Sequence, residues 1–138
     1  MAGSSHTLTS HTRPALSTIG VILTAFVGDD GTGAVPNLAV SFPSDCELLE
    51  LITNPGSTAP AANYDITAVD ADSIDRFQSC GLNRHTTASE AVAIIFATNF
   101  QKPVVRADEA LTITIANQTN ASATGTIAIV YRVLDRRA

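Results

Sequence analysis

Residues 126–134, Thr126-Ile127-Ala128-Ile129-Val130-Tyr131-Arg132-Val133-Leu134, are β-branched or apolar at almost every position. A strand built from them has no polar face to give to water, so it must be covered on both sides, by a second sheet or by a neighbouring subunit. Upstream, Leu111-Thr112-Ile113-Thr114-Ile115-Ala116 alternates apolar and small polar side chains, the period of a half-buried strand. Between the two lies a polar, turn-rich stretch, Asn117 to Gly125. Two period-2 runs around such a loop predict a β-hairpin.

The chain has 138 residues, the length of one domain with a real hydrophobic core. Only 15% of its residues are charged and Lys102 is its one lysine, whereas soluble proteins average about 25% charged residues. Its surface must therefore be built largely from Thr, Ser, Asn and Ala, which suits a β-protein and not a helical bundle. The net charge is −5, with no basic cluster beyond Arg132, Arg136 and Arg137. That balance argues against binding along a nucleic-acid backbone, which needs a field of cations. No apolar run reaches the ~18 residues of a membrane span. The polar stretch Met1 to Pro14 has no signal-peptide core, so the expected site of synthesis is a cytoplasm.

Strands are expected over Ser17 to Val27, Asn37 to Phe42, Glu47 to Thr53, Asn63 to Asp70, within Thr86 to Thr98, and at Val104-Val105. In the fourth of these, Tyr64, Ile66 and Ala68 share a face. With the terminal pair this makes about eight strands joined by Gly/Pro/Asn/Asp loops. The expected fold is all-β: a single-domain antiparallel β-sandwich, jelly-roll-like, over residues 16–138. Residues 1–15, rich in Ser, Thr and His and carrying Pro14, read as a flexible, extended N-terminal arm.

Candidate chemistry is sparse. Asp70, Asp72 and Asp75 offer oxygen ligands on one loop, but they lack the Gly and distal Glu of a calcium-binding EF-hand loop. An Asx-stabilised turn explains them as well. His85 has Asp75 and Ser79 near it in sequence, without the G-x-S-x-G elbow or a Cys-His signature that would make a nucleophile of a neighbour. His6 and His11 fall in the expected arm. Cys46 and Cys80, the only cysteines, are either free and partly buried or joined in a disulfide; two cysteines do not suffice for a zinc site. Gly28 to Gly33 lacks the Lys-Ser/Thr ending of a phosphate loop. Asn117-Gln118-Thr119 and Asn120-Ala121-Ser122 match the glycosylation pattern but read better as a turn with left-handed Asn. No residue is assigned a catalytic, cofactor-binding or metal-ligating role.

Two stretches together resemble a known family. Gly56-Ser57-Thr58-Ala59-Pro60-Ala61-Ala62-Asn63-Tyr64-Asp65-Ile66-Thr67 runs on to Asp70-Ala71-Asp72-Ser73-Ile74-Asp75 and Gly81-Leu82-Asn83-Arg84. Leu111-Thr112-Ile113-Thr114 and Ala123-Thr124-Gly125-Thr126-Ile127 continue the match. The order and spacing are similar to those of small β-rich virion proteins of tailed bacteriophages and prophages, over roughly the second half of the chain. The chain departs from that pattern at Ser73, where Gly is usual, at Cys80, and in its N-terminal segment.

The resemblance implies a virion structural component without catalysis. The member of that group that fits best is a capsid decoration (cement) protein, a homotrimer on the capsid exterior. Such trimers sit at local threefold axes and clamp neighbouring copies of the major capsid protein. In that role residues 1–15 would reach across a subunit boundary and the last strand would lie at the trimer interface. A neck, tail or head-fibre protein is the nearest alternative. A carbohydrate-binding module ranks lower, because the chain has no Trp and its two tyrosines, Tyr64 and Tyr131, lie on strand patterns that suggest burial. An enzyme ranks last.

Overall fold

A computed structural model describes residues 3–14 and 17–134. Arg136 and Arg137, and residues 1, 2 and 15 of the expected arm, lie outside the described residues. Among those described there are nine strands and no helix: β1 (Ser5–Thr12), β2 (Ile19–Val27), β3 (Leu38–Ser41), β4 (Cys46–Pro55), β5 (Asp65–Val69), β6 (Glu90–Ala93), β7 (Val104–Val105), β8 (Ala110–Ala116) and β9 (Thr124–Val133). They form two antiparallel sheets. The larger runs β1-β2-β9-β4-β6, with β7 also on β4; the smaller runs β3-β8-β5. The all-β sandwich expected from the patterning is the architecture found.

Between the sheets, inward-facing residues of β2, β4, β5, β8 and β9 form one core. Ile22 and Phe26 of β2, Leu48 and Leu51 of β4, and Ile127, Ile129 and Tyr131 of β9 meet Ile66 and Ala68 of β5 and Leu111, Ile113 and Ile115 of β8. Tyr64, Ile66 and Ala68 are fully buried, as their shared parity predicts. At each end of the β2–β9 ladder a glycine lies under a cross-strand aromatic ring. Gly20 pairs with Tyr131, and Gly125 with Phe26. A Cβ on Gly20 would stand 2.4 Å from the Tyr131 ring, and one on Gly125 2.7 Å from the Phe26 ring. These glycines make room for the two aromatics that fill the inter-sheet space.

Two expectations are corrected. Residues 111–134 are not a hairpin: β8 lies between β3 and β5 in the small sheet, and β9 between β2 and β4 in the large one. The loop between them crosses the sandwich. Asn117 and Ser122 turn it with left-handed backbones, φ 59° and 58°. Gln118, 5% exposed, ties it in place. The Gln118 Oε1 accepts from Ala61 N (2.8 Å) and Asn120 N (3.1 Å), and its Nε2 donates to the Gly33 and Asn120 carbonyls. A hairpin and a crossing loop share the same local alternation; what separates them is the partner each strand finds elsewhere in the chain.

The second correction concerns the arm. Ser5–Thr12 is the edge strand of the large sheet, antiparallel to β2 from Ser5↔Val27 to Thr12↔Val21, with a bulge between Leu8 and Ser10. It is fastened by its histidines. The buried His6 donates from Nδ1 to the Pro36 carbonyl (3.2 Å), and its Nε2 lies 3.1 Å from the Thr24 hydroxyl. His11 Nε2 lies 2.6 Å from the Tyr131 hydroxyl. A Ser/Thr/His segment can form such a strand because an edge position is held by backbone hydrogen bonds and asks for little apolar surface.

Candidate functional site

The acidic turn is built to hold itself. The Asp70 carboxylate accepts from Asp72 N (2.9 Å), Ile74 N (3.0 Å) and Arg76 Nε (2.8 Å). The Ile74 N–H foremost, with the Arg76 guanidinium, keeps the Asp70 carboxyl below the usual carboxylate range. Asp75 accepts from Ala68 N, Phe77 N and Ser79 N at 3.0–3.1 Å. Both carboxylates thus serve backbone donors, the Asx role that their sequence allows. Among the described residues no group of three or more His, Cys, Asp or Glu side chains is arranged to hold a metal ion.

Beside this turn opens a polar cleft of about 540 Å³, lined by Asp72, Arg76, Val104, Arg106, Asp108 and Glu109. Arg76 dominates it and is engaged at each of its three nitrogens: Nε with Asp70, one terminal nitrogen with Glu109 (3.2 Å), the other with the Val104 carbonyl (3.2 Å). The cleft therefore works as a tie between the turn after β5 and the segment that carries β7.

The remaining candidates resolve in the same direction. His85 caps a turn, its Nδ1 accepting from Thr87 N (3.0 Å) and Ala88 N (2.8 Å), while Asp75 and Ser79 bond to each other through the Ser79 N–H. Cys46 and Cys80 are free thiols. Burial, followed by the neighbouring charges of Asp45 and Glu47, pushes the Cys46 thiol up to about 12, so at neutral pH it is an inert core group. Asn117 adopts the left-handed backbone expected of it and donates from Nδ2 to Asp65.

The outer face of the large sheet carries a second apolar surface. Register places Leu23, Ala128 and Ile52 in one cross-strand row, and Val21 beside Val130 in the next. Their sequence neighbours Ile22, Ile129 and Leu51 point into the core, so this second set points away from the small sheet. Ala128 is 8% exposed; Val21, Leu23, Ile52 and Val130 are half-buried by one another. Charge enters where Arg132 pairs with Glu47 (3.0 Å) and at Glu50, which stands across from Val130 on β4. This is the second apolar face of β9. Among the described residues one face of that strand is covered by the small sheet and the other is not.

Sequence reasoning identified the apolar character of this face on β9 but not its extent across β2 and β4. The available signal was the equal hydrophobicity of both parities in Ile19 to Val27. No protein-family model, curated protein or solved structure matches the chain.

Proposed function

We propose that this chain is a capsid decoration protein of a tailed bacteriophage, acting without catalysis. In this role it assembles as a homotrimer on the capsid exterior and clamps neighbouring copies of the major capsid protein at local threefold axes. The observation that carries the reading is the ordered resemblance of residues 56–84 and 111–127 to small phage virion proteins. It is supported by the adjacency of the two stretches in space: β5 pairs with β8 from Asp65↔Ala116 to Val69↔Thr112.

The apolar outer face of the large sheet supports the oligomer. A mainly apolar patch spread over three neighbouring strands gains free energy when a second surface removes it from water, at roughly 25 cal/mol per Å² of apolar area. Three copies around an axis would bury it. The role assigned to the N-terminal segment changes accordingly. Ser5–Thr12 is paired within its own sheet, and the clamp falls to the body of the sandwich.

Copy number in the purified virion tests the reading, by quantitative mass spectrometry against the major capsid protein. Hundreds of copies in simple proportion to the capsid protein are expected. A few to a dozen would move the chain to the neck, tail or head fibre, and absence from the particle would overturn the virion assignment.

A further inference from the structure

A β-sheet edge is a row of unpaired N–H and C=O groups, and the edges of this molecule are managed unequally. The outer edge of β5 is plugged by the loop that follows it: Ile66 N donates to the Gly81 carbonyl (2.8 Å), Arg76 N to that of Ala68 (2.7 Å) and Arg84 N to that of Tyr64 (2.7 Å). The strands β3, β6 and β7 are short, with four, four and two residues. The strand β1 is different. It has eight residues, Ser-His-Thr-Leu-Thr-Ser-His-Thr, ends the large sheet, and carries no Lys, Asp, Glu or Pro. It also holds Leu8 half exposed, at 50%.

We propose that this edge pairs with the same edge of a second copy, β1 antiparallel to β1 about a two-fold axis at Leu8. An extended strand satisfies such a row of alternating donors and acceptors along its whole length. The sequence of β1 suits itself as that occupant. With Leu8 opposite Leu8, Thr7 falls opposite Thr9 and His6 opposite Ser10, so every opposing pair is uncharged and the cross-strand Thr pair is a favourable one. The exposed Leu8 side chains meet at the axis and leave water. A two-fold contact of this kind is isologous and closes after two copies. The contact is separate from the outer face of the large sheet and does not rest on the virion assignment.

The test is the mass of the full-length protein by native mass spectrometry and sedimentation velocity. Leu8→Lys places two ammonium groups directly opposite each other, and the expected result is a species of half the wild-type mass. Leu8→Glu should do the same, and an equimolar mixture of the two variants should restore the wild-type mass. Equal masses for wild type and both variants would overturn the proposal, as would a mixture that stays at half mass. Should the charged variants fail to fold, Leu8→Cys provides the second arm. Mild oxidation should give covalent dimers in which the introduced thiols are joined, absent from the wild type treated alike. No covalent dimer would overturn the assignment of Leu8 to the axis.

Discussion

His6 shows how one side chain can hold an edge strand. Its imidazole is buried against β2 and the segment before β3, within 6.4 Å of the Phe26 ring in an edge-on arrangement. Both ring nitrogens have a neighbour, Nδ1 donating to the Pro36 carbonyl and Nε2 standing 3.1 Å from the Thr24 hydroxyl. Burial lowers its pKa below the ordinary 6.5, the Pro36 carbonyl opposing in part; burial lowers that of His11 as well. The unfolded chain therefore takes up protons before the folded one. The stability these rings contribute is complete above the unfolded value and declines as pH falls through 6.5 toward the folded pKa. The melting temperature should drop between pH 7.5 and pH 5.5, a range in which carboxylates stay ionised. In His6→Gln the drop should be shallower, with a loss of about 1 kcal/mol at pH 7.5; equal slopes in wild type and variant would contradict the role. The Asp75 carboxylate should matter more than its half-exposed position suggests, since it holds the three N–H groups that shape the turn after β5. Asp75→Ala is expected to cost roughly 2 kcal/mol in urea unfolding. Of the candidate chemistry, the turn-capping alternative for these aspartates was legible from residue type and spacing. What spacing leaves out is which atoms the carboxylates reach.

The elements that determine the architecture are those with non-local partners. Gln118 joins the loop after β8 to the segments around Gly33 and Ala61, and both its amide ends are used. Gln118→Leu keeps the volume and leaves those two groups unpaired in the interior. The expected loss is about 3 kcal/mol, roughly 10 °C in melting temperature for a domain of this size. Gly20→Ala should also destabilise, by about 1–3 kcal/mol, because the new methyl displaces the Tyr131 ring rather than filling space; calorimetry of both variants checks these figures. The strand β5 was readable because one apolar face and one polar face leave a period of two. The strand β1 was not, because Thr, Ser and His on an edge carry no such contrast and its hydrogen bonds come from the backbone. The false hairpin has another cause. Asn117 to Thr124 has the composition of a reversing turn, and nothing local records that Gln118 will be drawn inward by Gly33 and Ala61. Strand existence is a local property of this chain, whereas sheet membership is not.

At the scale of the molecule, β1–β2 is the only pair of consecutive strands that are neighbours in a sheet among the described residues. Every other ladder joins distant segments, such as Ile19 with Arg132, so the two outer thirds of the chain must meet before the large sheet exists. The strand β9 at its centre carries the consequence for assembly. Ile129 and Val130 are adjacent in sequence and opposite in destiny: Ile129 is fully buried between the sheets, while Val130 stands on the outer face between Val21 and Glu50. A carboxylate at the first position enters an apolar core, so Ile129→Asp should lose more than about 4 kcal/mol and fail to fold at 37 °C. The same change one residue later, Val130→Asp, should keep the fold and its cooperative melting, and should reduce the mass of the assembled protein threefold if the outer face is the trimer interface. A Val130→Asp protein of unchanged mass would separate the apolar face from oligomerisation and leave its cover to another protein. A Val130→Asp protein that does not fold would mean that the sheet itself needs that face covered. The final strand would then be apolar on both sides because its partner is part of the fold.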